Sequence, residues 1–77
     1  MGERSELALR FGRTIRRLRL DAKHSQEAFA AEVGIHRTYQ GAVERGEKTV
    51  TIDTADKLAR ALGLSLVGLF SELEHEP

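Results

Sequence analysis

Ser25–Lys48 reads SQEAFAAEVGIHRTYQGAVERGEK, and the way this stretch divides decides the fold. Ser25 can cap a helix, because its hydroxyl accepts one of the backbone N–H groups that a first turn leaves without a partner. Glu27, in that turn, suits the positive end of the helix dipole. The helix so begun covers about Gln26 to Val33 and presents Phe29, Ala30 and Val33 on one face. Gly34 stops it, since glycine takes the left-handed conformation that a side chain resists. Ile35 then turns back toward a core, and His36 opens another helix that runs to about Arg45. Gly46 ends that helix, and Glu47 to Val50 reads as a loop.

The chain on either side keeps the helical period. Before Ser25, the residues Leu7, Phe11, Ile15 and Leu18 recur every three or four positions, predicting a first helix of about Ser5 to Ala22. Its other faces carry Arg10, Arg13, Arg16, Arg17 and Arg19, a solvated surface by default. After the loop, Thr51 caps a fourth helix of about Ile52 to Leu62, with Ile52, Ala55, Leu58, Ala59 and Leu62 as its apolar stripe. Gly63 ends it. Ser65 caps a fifth helix, about Leu66 to Leu73, and residues 74–77 read as a disordered tail. No segment alternates with period two for long enough to make a strand. The expected fold is all-α: five short helices with short linkers in one compact domain.

Length and composition narrow the function. A chain of 77 residues makes one small domain, for which dimerisation is an ordinary source of added stability. It has no cysteine, which excludes disulfides, thiolate catalysis and zinc–thiolate sites. His24, His36 and His75 lack metal-ligand spacing and read as surface residues. There is no clustered His/Asp/Ser constellation and no Gly-rich phosphate loop, so catalysis is the weakest reading and no cofactor is expected. No signal-peptide core or membrane-length apolar run is visible, which points to the cytoplasm. Net charge is zero, but unevenly laid out. Residues 1–48 hold ten Lys and Arg against seven Asp and Glu, net +3, and residues 49–77 hold two against five, net −3. Such polarity is compatible with a nucleic-acid face.

Two helices joined by a tight glycine-containing turn, the second of them polar on one side, form a helix-turn-helix pattern. Ala30 is small enough for the close crossing, Gly34 suits the turn, and Phe29, Val33, Ile35 and Val43 can lock the helices together. At this point the stretch 25–48 resembles the Cro and phage-repressor type of helix-turn-helix, the Xre family. With its HRTY and ERGEK segments, it is most similar to the controller proteins of restriction–modification systems. The RRLR before the motif and the ending LARALGLSLVGLF extend the resemblance to 11–70.

The resemblance implies a transcriptional regulator that binds double-stranded DNA as a homodimer. In it the third helix enters the major groove, with Arg37 and Thr38 reading bases, Ala42 one turn further on, and Tyr39 at the edge. Arginine suits a bidentate contact to guanine, and Ala42 could touch a thymine methyl. Gln26, Arg45 and Lys48 would meet phosphates, and Arg19 would pair with Glu44 as a structural tie. Leu66, Val67, Leu69, Phe70 and Leu73 exceed what one small core can take, so some of them should form an isologous dimer interface. An antitoxin-like protein-interaction module is the alternative on the same fold.

The sequence departs from the family at a few positions. Gln40 stands where an aliphatic residue is usual, and its amide is expected to flex to the domain edge, because a buried amide without partners costs roughly 1–3 kcal/mol. Lys23 stands where glycine is common, His24 replaces a leucine, and Gly68 weakens the fifth helix.

Overall fold

The computed structural model describes residues 5–77. They form five helices and no strand: α1 (Glu6–Asp21), α2 (Gln26–Val33), α3 (Arg37–Glu44), α4 (Ile52–Ala61) and α5 (Leu66–Glu74). Each boundary falls within a residue or two of its expected place. The reason is local. Ser5, Ser25, Thr51 and Ser65 each accept a hydrogen bond from the backbone N–H three residues on, at 3.0–3.2 Å. Such caps are worth about 1 kcal/mol apiece.

Phe11 and Ile15 of α1, Phe29 and Val33 of α2, Val43 of α3, Ala55, Leu58 and Ala59 of α4, and Leu69 and Leu73 of α5 make one core. Burying a large apolar side chain contributes roughly 1.5–3 kcal/mol, so the five helices cohere through this shared interior. α1 packs on α3 and α5, α2 on α3 and α4, and α4 on α5. At the crossing of α1 and α3 the backbones nearly touch. A Cβ added to Gly12 would lie 2.6 Å from the Glu44 carbonyl oxygen and closer still to that of Val43.

Lys23 adopts φ 67°, the only non-glycine residue with positive φ among those described. A side chain in that conformation costs about 1–2 kcal/mol, part of which glycine would give back in chain entropy. Lys23→Gly is therefore expected to raise stability by about 0.5–1 kcal/mol, read as a higher urea midpoint at unchanged m-value.

The C-terminal segment departs from expectation. Residues 74–77 are laid along α1 rather than hanging off the bundle. Glu74 closes α5. The Arg17 guanidinium donates to Glu72 and to Glu76, each at 3.0 Å. Arg13 donates to the Pro77 carbonyl at 3.1 Å, and Arg10 lies 4.0 Å from Glu74. The basic stripe of α1 and the acidic end of the chain thus neutralise each other in space, and the Glu72 and Glu76 hydrogen bonds raise the Arg17 pKa above its ordinary value.

Candidate nucleic-acid interface

α2 and α3 meet across Gly34–His36. Gly34 takes φ 90°, and both its N–H and that of Ile35 donate to the Ala30 carbonyl, at 2.8 and 3.0 Å, which closes α2 and reverses the chain. His36 caps α3: its Nδ1 accepts from the Thr38 N–H at 3.0 Å. From this start the eight residues of α3 divide by face. Gln40, Val43 and Glu44 turn inward, Tyr39 packs at the margin of the core, and Arg37 and Thr38 are exposed. Arg37, Thr38, Gly41 and Arg45 share a hollow with Gln26 and Glu27 from the first turn of α2. The hollow has a volume of about 340 Å³.

Behind this face lies a buried polar knot. The Arg19 guanidinium donates to Glu44 twice, Nε to Oε2 at 2.6 Å and Nη2 to Oε1 at 3.0 Å. Gln26 Nε2 donates to Oε1 at 3.0 Å and Gln40 Nε2 to Oε2 at 2.7 Å. One carboxylate therefore ties α1, α2 and α3. Arg19 also donates to the His24 carbonyl at 2.8 Å, which fixes the α1–α2 turn. Burial pushes the Glu44 carboxyl up, but the hydrogen bonds from Arg19, Gln26 and Gln40 and the Arg19 charge outweigh it and hold the group below the usual carboxylate range.

α5 has two apolar sides. Leu69 and Leu73 point into the core of their own subunit, with Leu66 beside them. Val67 and Phe70 point away, 79% and 37% exposed, and Phe70 lines a hollow with Ile52 at the start of α4 and Leu7 of α1.

A family model described as helix-turn-helix matches residues 15–69. The chain belongs to that family. As a helix-turn-helix protein it is similar to the control protein C.MunI of a Mycoplasma species, at 36% identity over 94% of this chain and 99% of the relative. Among solved structures it resembles the restriction–modification controller protein C.AhdI of Aeromonas hydrophila, with 40% identity, 82% of this chain and 96% of that one covered, and a TM-score of 0.78. It also resembles the controller protein C.Esp1396I, seen as a tetramer on its natural 35-base-pair operator, with 29% identity, 94% and 95% coverage and a TM-score of 0.87. Family and fold therefore agree with the resemblance found in residues 11–70.

The sequence-predicted site residues of this helix-turn-helix protein come together unevenly. Arg37 and Thr38, the base readers that the resemblance implies, are exposed in the first turn of α3 with Tyr39 half-buried beside them, and Arg45 and Lys48 are exposed beyond them. Arg19 and Glu44 pair. Ala42 does not share the outer face; only 6% exposed, it is turned inward, while Gly41 lines the hollow but is buried beneath the Arg45 guanidinium. The two differ by about 100° around the helix, which is enough to turn one toward the hollow and the other toward the core. Gln26 is half-buried, with one amide N–H already given to Glu44. Leu69 and Leu73 are removed from the candidate dimer face and Ile52 and Leu7 join it, a set missed because each had been counted in the stripe of its own helix.

Gln40 also differs. It is fully buried, not at the edge, with Nε2 bonded to Glu44 and Oε1 lacking a partner among the described residues. The amide stays inside because Glu44, one turn on, offers an acceptor at hydrogen-bond distance.

No helix among the described residues is long and apolar enough to cross a membrane, and no group of His, Asp and Glu among them could hold a metal ion.

Proposed function

We propose that this helix-turn-helix regulator binds a pseudo-palindromic operator as a homodimer, in the cytoplasm and without catalysis, by inserting α3 into the major groove. The observation that carries the reading is the exposed first turn of α3, where Arg37 and Thr38 stand outward on a helix whose other side is anchored by Val43 and Glu44. Arg37 offers paired donors to guanine O6 and N7, and Thr38 a hydroxyl or methyl to a neighbouring pair. Tyr39 lies at the margin. Gln26 and Lys48, with Arg45 near them, are suited to phosphates on either side of the groove. Likeness to an operator-bound controller protein supports the same docking.

Val67, Phe70 and Ile52 supply the contact between subunits. Each presents apolar surface to solvent, which a second copy related by a two-fold axis would cover. Such a dimer spaces its two copies of α3 by about one turn of DNA, near 34 Å.

Arg37→Ala is expected to weaken binding to the preferred duplex by about 1–3 kcal/mol and to relax the choice of base at one position of each half-site. Fluorescence anisotropy against a panel of single-pair variants reads both effects. Equal weakening on preferred and random duplexes would remove Arg37 from the readers. Affinity should also fall steeply with salt, since each phosphate contact releases counterions.

A further inference from the structure

The phosphate contact expected of Arg45 would use its charge alone, yet the structure restrains this side chain more closely than a phosphate contact requires. Gly46, at φ 75°, turns the chain at the end of α3, and its α-carbon face is pressed against Leu9, where a Cβ would come within 2.8 Å of the Leu9 Cα. The Glu47 N–H donates to the Ala42 carbonyl at 2.9 Å. This brings the Glu47 carboxylate back beside Arg45, which it grips along one edge: Nε to Oε2 at 2.9 Å and Nη2 to Oε1 at 3.2 Å. The pairing raises the Arg45 pKa above its ordinary value.

The third nitrogen, Nη1, lies over Gly41. A Cβ there would sit 3.1 Å from Nη1 and 3.5 Å from Gln26 Oε1, so the guanidinium rests in the space that a side chain would take. Glycine inside a helix costs roughly 1 kcal/mol against alanine, and here the vacated space is occupied by the head of Arg45.

A guanidinium held side-on keeps its opposite edge, one N–H from each Nη, as two parallel donors. Arg45 lines the hollow shared with Arg37 and Thr38, so that edge is the one left to meet a ligand there. Two parallel donors match the O6 and N7 acceptors of guanine in the major groove. We infer that Arg45 is a second reader of guanine, aimed by Glu47 and seated on Gly41. The inference rests on the groove-docking reading above and adds Gly41 and Glu47 as positioning residues.

The probe is the tightest duplex that the unsubstituted protein recovers from a random-sequence pool, with every base pair then changed singly. Arg45→Ala should lose tenfold or more, concentrated at one G·C pair per half-site distinct from the pair that responds to Arg37→Ala. Glu47→Ala should flatten the preference at that same pair severalfold and leave the other positions as they were. Glu47→Gln, which keeps one acceptor, should retain part of it. In the Arg45→Ala background, Glu47→Ala should change base preference no further. All three side chains are exposed enough that thermal midpoints serve as a check on folding.

A loss spread evenly over all duplexes in Arg45→Ala would show a phosphate contact and overturn the inference. So would a Glu47→Ala effect of equal size on every duplex, the signature of simple charge. In either case a position-specific response to Arg37→Ala leaves the docking itself intact. If no substitution alters any preference, both readings fall.

Discussion

Glu44→Ala is expected to destabilise the fold by about 3–5 kcal/mol, the range for breaking a buried ion pair and leaving its partner charge behind. A domain of this size holds on the order of 4–11 kcal/mol in all, so the variant should be largely unfolded at growth temperature. The size follows from what the carboxylate does. It receives four hydrogen bonds, two from Arg19 and one each from Gln26 and Gln40. Arg19 is 5% exposed and has no other acidic partner among the described residues. Thermal and urea unfolding measure the loss; a change under 1 kcal/mol would show the knot to be incidental.

The same group sets a pH dependence. Its folded pKa is depressed, so its contribution is fully present above the ordinary glutamate value, about 4.3, and is lost as pH falls through the lower folded value. Glu44→Gln should flatten the stability profile in that acid window while leaving its slope near neutrality unchanged.

Gly12→Ala is the second large effect. Alanine is the better helix former by roughly 1 kcal/mol, which alone would stabilise α1. Against this, its methyl would overlap the Val43 and Glu44 carbonyls. These atoms belong to the backbone of α3 and cannot rotate aside. Overpacking costs typically 1–3 kcal/mol when side chains can adjust. Here α1 and α3 must move apart, so a net loss of about 2–3 kcal/mol is expected. Because α3 carries the residues proposed to face the groove, DNA affinity should fall with it. A variant as stable as the parent would mean that the helices are less tightly crossed than the structure has them.

The parts of this molecule fixed by local chemistry were legible in the sequence. Ser25, Thr51 and Ser65 mark helix starts through a hydroxyl and a nearby N–H, and Gly34, Gly46 and Gly63 mark stops through φ; both rules act within four residues. Arg37 and Thr38 were singled out by the resemblance, and their exposure follows from their place in the first turn of α3. The errors are tertiary. Gln40 reads as polar and hence outward, and only the presence of Glu44, buried by Arg19 from another helix, keeps it inside. That Gly41 and not Ala42 lines the hollow depends on how α3 is rotated against α1 and α2, which Gly12 and the Glu44 knot decide. Leu69 and Leu73 could not be told from Val67 and Phe70 without knowing which side of α5 meets α1. One signal for the docked C-terminal segment was available. Arg10, Arg13 and Arg17 recur at helical spacing, and the acidic excess sits in 49–77; opposite charges of that arrangement can close on each other.

The outward side of α3 is proposed to read duplex DNA in a two-fold complex. Selection of bound duplexes from a random-sequence pool tests it most directly. Enrichment of an inverted repeat whose half-site centres lie about 10 base pairs apart is expected, with the choice of base relaxed at one position of each half-site when Arg37 is substituted and the fold stays intact. Recovery of no preferred sequence by the folded protein would contradict it.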